Sequence, residues 1–256
     1  MKKNLKVGMI VGIIALVIAA LVGVTIWQSS AEKRKEPELT DYVSYELSEI
    51  KALAKLNDYD GLDATKIIAA NALSGGLPEN VEGSEKAPVV LIEYADYQCS
   101  YCAAINPLLN KLVEEFKGEV AIVMRSYVLS YHPNGVAGAA AANAAAIQGY
   151  WAKYKDLLFS NQNDWFYSKE EELQEQLEGY FKQVTNGKGD LEKFRADMAS
   201  EAVKEKIAFD YGLGEAAELG GTPWIMLDGE WIDHESMGPT DYTAKIKGVI
   251  EAKLAK

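Results

Sequence analysis

Both cysteines of this chain fall in one C-x-x-C, Cys99-Ser100-Tyr101-Cys102, and the residues around it leave few folds open. Before it, residues 89–94 (VVLIEY) form a short β-branched apolar run that suits a buried strand. After it, Ile105, Leu108, Leu109, Leu112, Val113 and Phe116 recur at helical spacing, and Lys117-Gly118 closes the helix. Pro107 inside that helix is expected to kink it. Residues 120–127 (VAIVMRSY) make the next strand. The predicted order is strand, C-x-x-C, helix, strand.

At a helix start the first N–H groups lack partners and the macrodipole is positive, so a thiol placed there loses its proton more easily. Cys99 is therefore the expected nucleophile, and Cys102, one turn inside the helix, the buried resolving thiol. Attack by Cys99 on a target disulfide gives a mixed disulfide that Cys102 releases. In the oxidising direction a substrate thiolate attacks the Cys99–Cys102 bond. One rival reading is half a zinc site, but only His132 and His234 remain as further His or Cys ligands, and they lie far apart in sequence. A second rival is a pair of inert buried thiols. The expectation is no metal and no cofactor other than the Cys99–Cys102 disulfide itself.

Two cysteines also exclude a multi-disulfide scaffold and a four-thiolate zinc site. A net charge of -12 argues against nucleic acid as a partner. That charge is unevenly spread. Residues 7–27 (VGMIVGIIALVIAALVGVTIW) carry no charge and would span about 31 Å as a helix, against a bilayer core of about 30 Å. Trp27 takes an interfacial position. Lys2, Lys3 and Lys6 precede the run and all 38 acidic residues follow it, so the remainder of the chain carries -15. The reading is a cytoplasmic tail over 1–6, a retained transmembrane anchor over 7–27, and a domain held at the cell membrane outside the cytoplasm. A cleaved signal peptide is the alternative, disfavoured by the length of the run and the weak Ser29-Ser30-Ala31 after it. Lys33, Arg34 and Lys35 balance the three lysines before the run, so orientation rests on the α-amine and the short N-terminal tail.

Residues 28–79 read as a linker and short helices. Thr40 is the expected N-cap of a helix carrying Val43, Leu47, Ile50 and Ala54, and a second helix is expected from Asp63 to Leu73, stopped by Gly75-Gly76. Residues 74–88 read as an entry loop. Residues 136–215 read as helix after helix, with an Ala-rich run at 137–146 and a capping box of Ser168 with Glu171. A further helix is capped by Asp190, and another runs over 201–211. The strand signal returns at 224–227, turns through Asp228-Gly229 into 230–232, and Pro239-Thr240 introduces a last helix over 241–254. His132 reads as a turn residue and His234 as a surface residue. Trp151, Trp165, Trp224 and Trp231 read as core or groove walls, and Glu170, Glu171, Glu172 and Glu175 as a solvated helix face.

In this order the motifs resemble the thioredoxin superfamily, and within it the DsbA-like thiol-disulfide oxidoreductases with a helical insertion, over about residues 80–256. VVLIEYADYQCSYC is similar to the family's first core strand plus active site, and Pro107 falls where the family helix kinks. YHPNGVAGAAAANAAAIQGYWAKYKDLLF resembles the start of the inserted helical domain, and GGTPWIMLDGE the cis-proline segment with its hairpin. The resemblance implies an α/β, thioredoxin-like fold with a helical insertion at about 133–215, preceded here by the transmembrane helix. It implies a cis bond between Thr222 and Pro223 facing the disulfide, with backbone groups of Thr222 pairing an extended substrate strand, and with Ser100 and Tyr101 bordering that substrate. It matches Glu93 to a buried acid beneath the active site that shuttles a proton for the resolving cysteine. From the residues alone, Glu93 reads as an edge or solvent-facing strand position.

Ser100-Tyr101 departs from the Pro-His of strongly oxidising members and the Gly-Pro of reducing thioredoxins. Without that histidine the expectation is a less stable thiolate and a less oxidising disulfide. The function implied is a disulfide donor to secreted or surface proteins with thiols, restored by a membrane quinone-linked reoxidase. The alternatives are a reductase or isomerase, and a membrane-tethered binding or chaperone module with an idle C-x-x-C.

Overall fold

The computed structural model describes residues 43, 45–234 and 236–256. The expected anchor at 7–27, the polar linker after it and Thr40 lie outside the described residues. Among the described residues no helix is long and apolar enough to cross a membrane.

Helix α1 (Leu47–Leu56) is followed by a 3₁₀ turn (Ala72–Ser74), then strand β1 (Asn80–Gly83) and strand β2 (Val89–Ala95). Helix α2 (Ser100–Glu115) leads to β3 (Val120–Ser126). Six helices follow: α3 (Gly135–Ile147), α4 (Trp151–Ser160), the single turn α5 (Gln162–Trp165), α6 (Glu170–Val184), α7 (Leu191–Met198) and α8 (Glu201–Ala216). Strands β4 (Trp224–Leu227) and β5 (Glu230–Trp231) and helix α9 (Pro239–Leu254) complete the fold. The strands form one sheet in the order β1-β3-β2-β4-β5, with β2 and β3 parallel and the other pairings antiparallel.

β2 lies at the centre of the sheet and is covered on both faces, which is why its sequence is an unbroken apolar run instead of an alternating one. Val89 and Leu91, with Ile225 and Leu227 of β4, pack against Ile105 and Leu109 of α2 and Ile246 and Ile250 of α9. Ile92 and Tyr94 point the other way, into a larger core built with the helices between β3 and β4. α3 is buried along most of its length, and Gly and Ala supply most of the buried positions. A Cβ at Gly138 would stand 2.8 Å from the Trp165 ring. The β4–β5 turn uses Asp228 and Gly229 at φ 51° and 84°, the paired left-handed geometry of a two-residue hairpin.

Four readings of the sequence are corrected. α1 starts at Leu47, with Glu46 at its N-cap in a capping box with Glu49, so Val43 precedes the helix. Residues 63–71 are not helical. Asp63 accepts from the N–H and the hydroxyl of Thr65, and the carbonyls of Ala64 and Lys66 are claimed by the buried Arg125 guanidinium at 2.7 and 2.9 Å. The entry loop holds β1, a short edge strand whose Asn-Val-Glu-Gly composition gives little strand signal. Ser168 does not cap α6: Lys169 stands at the N-cap, and the Ser168 hydroxyl donates to the Asp164 carbonyl at 3.0 Å.

Candidate functional site

The C-terminal end of β2 delivers Asp96, Tyr97 and Gln98 to the mouth of α2. The Asp96 carboxylate fixes this turn. One oxygen accepts the Gln98 N–H at 2.8 Å, and the other accepts the Leu129 N–H at 2.7 Å and faces His132 Nδ1 at 2.7 Å. A carboxylate only accepts, so Nδ1 carries the proton in that contact. Cys99 then caps α2, its sulfur receiving the Cys102 N–H at 3.5 Å, and the Cys99 thiol reaches the Thr222 carbonyl at 3.4 Å. The Thr222–Pro223 peptide bond is cis.

The two thiols are free and differ sharply in setting. Cys99 retains 8% exposure and Cys102 none, so an incoming sulfur can reach only the first. The Cys99 thiol is lowered from its ordinary value to about 6. The Cys102 thiol beside it contributes most, burial opposes, and Thr222 and the N–H groups of Cys102 and Tyr101 add to the lowering. The Thr222 hydroxyl is buried and has no hydrogen-bond partner among the described residues, so it is available to a Cys99 thiolate. Cys102 moves the other way. Burial pushes its thiol well above the usual range, and the hydrogen bond it makes to Cys99 adds to that.

Glu93 sits on β2 between Met124 of β3 and Ile225 of β4, 5% exposed. The reading of it as an edge or solvent-facing residue is overturned, because β2 is central and its faces are covered. Burial pushes its carboxyl up to about 7, the Lys155 ammonium pulls it down, and the Cys99 thiolate pushes it up. A carboxyl of this kind can hold or release a proton near neutral pH beside the cysteine pair.

Tyr101 is tied across the site, its hydroxyl donating to the Met237 carbonyl at 2.8 Å. Its ring lies 5.7 Å from His234 and 6.4 Å from Tyr242. Ser100 is exposed at the first position of α2. His234 is not a plain surface residue: its Nε2 lies 2.8 Å from the Pro223 carbonyl, and its ring packs at 5.2 Å from Trp224. The structure therefore brings Cys99, Cys102, Tyr101, Thr222 and Pro223 together, with Glu93 within electrostatic reach of Cys99. It adds Asp96, His132 and His234, which sequence reasoning missed. The one signal for them was that both histidines flank recognised motifs.

The chain and its fold have counterparts among known proteins. The sequence model of the thioredoxin family matches residues 77–247. A curated relative, the Na(+)/H(+) antiporter NhaA of Herminiimonas arsenicoxydans, is 32% identical over 151 residues, 59% of this chain. The chain spans 22% of that relative's length. A thioredoxin-like oxidoreductase from Silicibacter pomeroyi DSS-3 superposes with a TM-score of 0.52 at 22% identity, covering 71% of this chain and 99% of that one. Alpha-DsbA1 of Wolbachia pipientis does so with a TM-score of 0.52 at 21% identity, covering 69% and 94%. The likeness to the solved structures is one of fold, and the matched family model covers most of the chain: this protein belongs to the thioredoxin family.

Proposed function

We propose that the protein is a membrane-anchored, extracytoplasmic thiol-disulfide oxidoreductase that donates the Cys99–Cys102 disulfide to secreted or surface proteins. The observation that carries this reading is the asymmetry of the pair. Cys99 keeps 8% exposure at a helix start and is lowered to about 6, while Cys102 is fully buried and raised. A client thiolate attacks Cys99 Sγ of the disulfide, the S–S bond breaks, and Cys102 leaves with the electron pair and takes up a proton, for which Glu93 is the proposed source. A second client thiolate then attacks the client sulfur of the mixed disulfide, and Cys99 leaves as a stabilised thiolate. The client has lost two electrons and gained a disulfide, and the protein is left as a dithiol. A membrane quinone-linked reoxidase would accept those two electrons and restore the bond.

The apolar run at 7–27 supports the anchor, and the α-amine with the short N-terminal tail supports its placement. The lowered Cys99 favours the donor direction over the reductase or isomerase direction, because a stable thiolate is a good leaving group and stabilises the reduced state. The test is trapping. Cys102→Ala, treated with an oxidised client, should accumulate Cys99-linked mixed disulfides in the membrane fraction, and Cys99→Ala should give none. Equal yields from the two variants would overturn the assignment.

A further inference from the structure

We propose that the surface running from beside Cys99 past Tyr131 and Tyr167 to the first turn of α6 is a docking groove for a cationic, apolar segment of the client polypeptide. This rests on the exchange reading of Cys99–Cys102 and deepens it by naming the class of client.

Among the described residues, Tyr131 is 71% exposed and Tyr167 82%, two of the few large apolar side chains left in water. They are not scattered. The Tyr131 ring meets His132 at 4.6 Å, His132 meets Phe166 edge-on at 5.7 Å, and Phe166 meets Tyr167 at 4.6 Å. The four rings form one row whose ends, Tyr131 and Tyr167, stand in water, while His132, its side chain 8% exposed, and the half-buried Phe166 support them from beneath, so the two exposed rings belong to one surface and are not isolated. The row is rigidly fixed to the redox pair. Gln98, the residue before Cys99, donates to the Phe166 carbonyl at 3.0 Å and accepts the Asn134 N–H at 2.7 Å. The Asn134 side-chain amide in turn donates to the carbonyls of Trp165, Phe166 and Ser168 at 2.8, 3.1 and 3.0 Å.

Beyond Tyr167 the row opens into a groove of about 970 Å³. Tyr167 and Leu173 give it apolar wall, and Glu170, Glu171, Glu172 and Glu175 line it against one cation, Lys169. None of these four carboxylates makes an ion pair among the described residues. The positive end of α6 accounts for acids in its first turn, but not for Glu175, which lies beyond it. An excess of carboxylates beside a row of aromatic rings is complementary to an extended chain carrying Lys or Arg together with aromatic or aliphatic side chains. A second copy of this chain is a poor occupant, because each copy carries -15 beyond residue 27.

The experiment uses the full-length oxidised protein and three single-cysteine peptides of one apolar sequence, flanked by Lys, Ser or Glu. Their rates of mixed-disulfide formation are divided by the rates of the same peptides with a small neutral disulfide, which removes the effect of the flanks on the peptide thiol. The Lys peptide should react roughly tenfold faster than the Glu peptide at low ionic strength, and the ratio should shrink as salt screens it. In E171Q/E172Q/E175Q that ratio should fall severalfold. In Tyr167→Ala all three peptides should slow. An unchanged ratio in the triple variant together with unchanged rates in Tyr167→Ala would overturn the groove. So would a concentration-dependent dimer abolished by Tyr167→Ala, which would assign the surface to a second copy. If no peptide or small thiol reacts with the unaltered protein, it is the exchange reading that fails.

Discussion

At the scale of single residues, the account turns on groups whose ionisation is set by neighbours distant in sequence. The cysteines were readable because their spacing, the strand before them and the helix after them are all local. Glu93 was not readable from its own surroundings, because its burial depends on helices packing over both faces of β2. Asp96 with His132, and His234 with the Pro223 carbonyl, were missed for the same reason: each pair joins across a fold the sequence does not display. Glu93 offers a direct check. Its folded value of about 7 stands above the roughly 4.3 of an unfolded glutamate, so the folded state holds that proton more tightly. Its contribution to stability is complete below about pH 4.3 and is lost as pH rises through 7, a change on the order of 4 kcal/mol. Glu93→Gln should therefore unfold at higher urea than the unaltered protein at pH 8, with the difference closing toward pH 4. Parallel profiles for the two would show that Glu93 is not a buried titrating group.

At the scale of elements, β2, α2, β3 and the β4–β5 hairpin follow from period and turn chemistry, and the structure places them within a residue or so of expectation. The segment before β1 failed because its conformation is dictated from outside. Arg125, fully buried on β3, binds Glu79 through Nε and Nη2 at 3.0 and 2.8 Å and the Tyr94 hydroxyl at 3.0 Å, besides the two backbone carbonyls of that segment. Lys206 of α8, also fully buried, completes the cluster by pairing with Glu79 at 3.3 Å and with Asp210, whose other oxygen accepts the Ser126 N–H. Burial works against an ionised Glu79, but Lys206 and Arg125 outweigh it and hold its carboxyl below the usual range. Glu79→Ala would leave two buried cations facing one carboxylate. The expected cost is about 3–5 kcal/mol, read as a lowered urea midpoint. A loss under about 1 kcal/mol would mean that the cluster does not hold the segment to the sheet.

At the scale of the whole molecule, the chain joins an apolar run with its lysines to an acidic thioredoxin-family domain whose two cysteines form one pair. Having no other cysteine matters to the proposed role, since a stray thiol would compete with Cys99 in an oxidising compartment. Sequence alone left the direction of exchange open, because Ser100-Tyr101 matches neither the oxidising nor the reducing dipeptide. What bears on direction is the setting of Cys99, whose thiol is held below its ordinary value by the Cys102 thiol, Thr222 and the N–H groups at the start of α2. The central claim is that this pair gives disulfides away, and the most direct measurement is its reduction potential, obtained by equilibrating the protein in glutathione buffers of known ratio. A potential between the about -270 mV of thioredoxin and the about -120 mV of DsbA, clearly above the former, is the predicted result. A value at or below about -270 mV would make the protein a reductant and contradict the account.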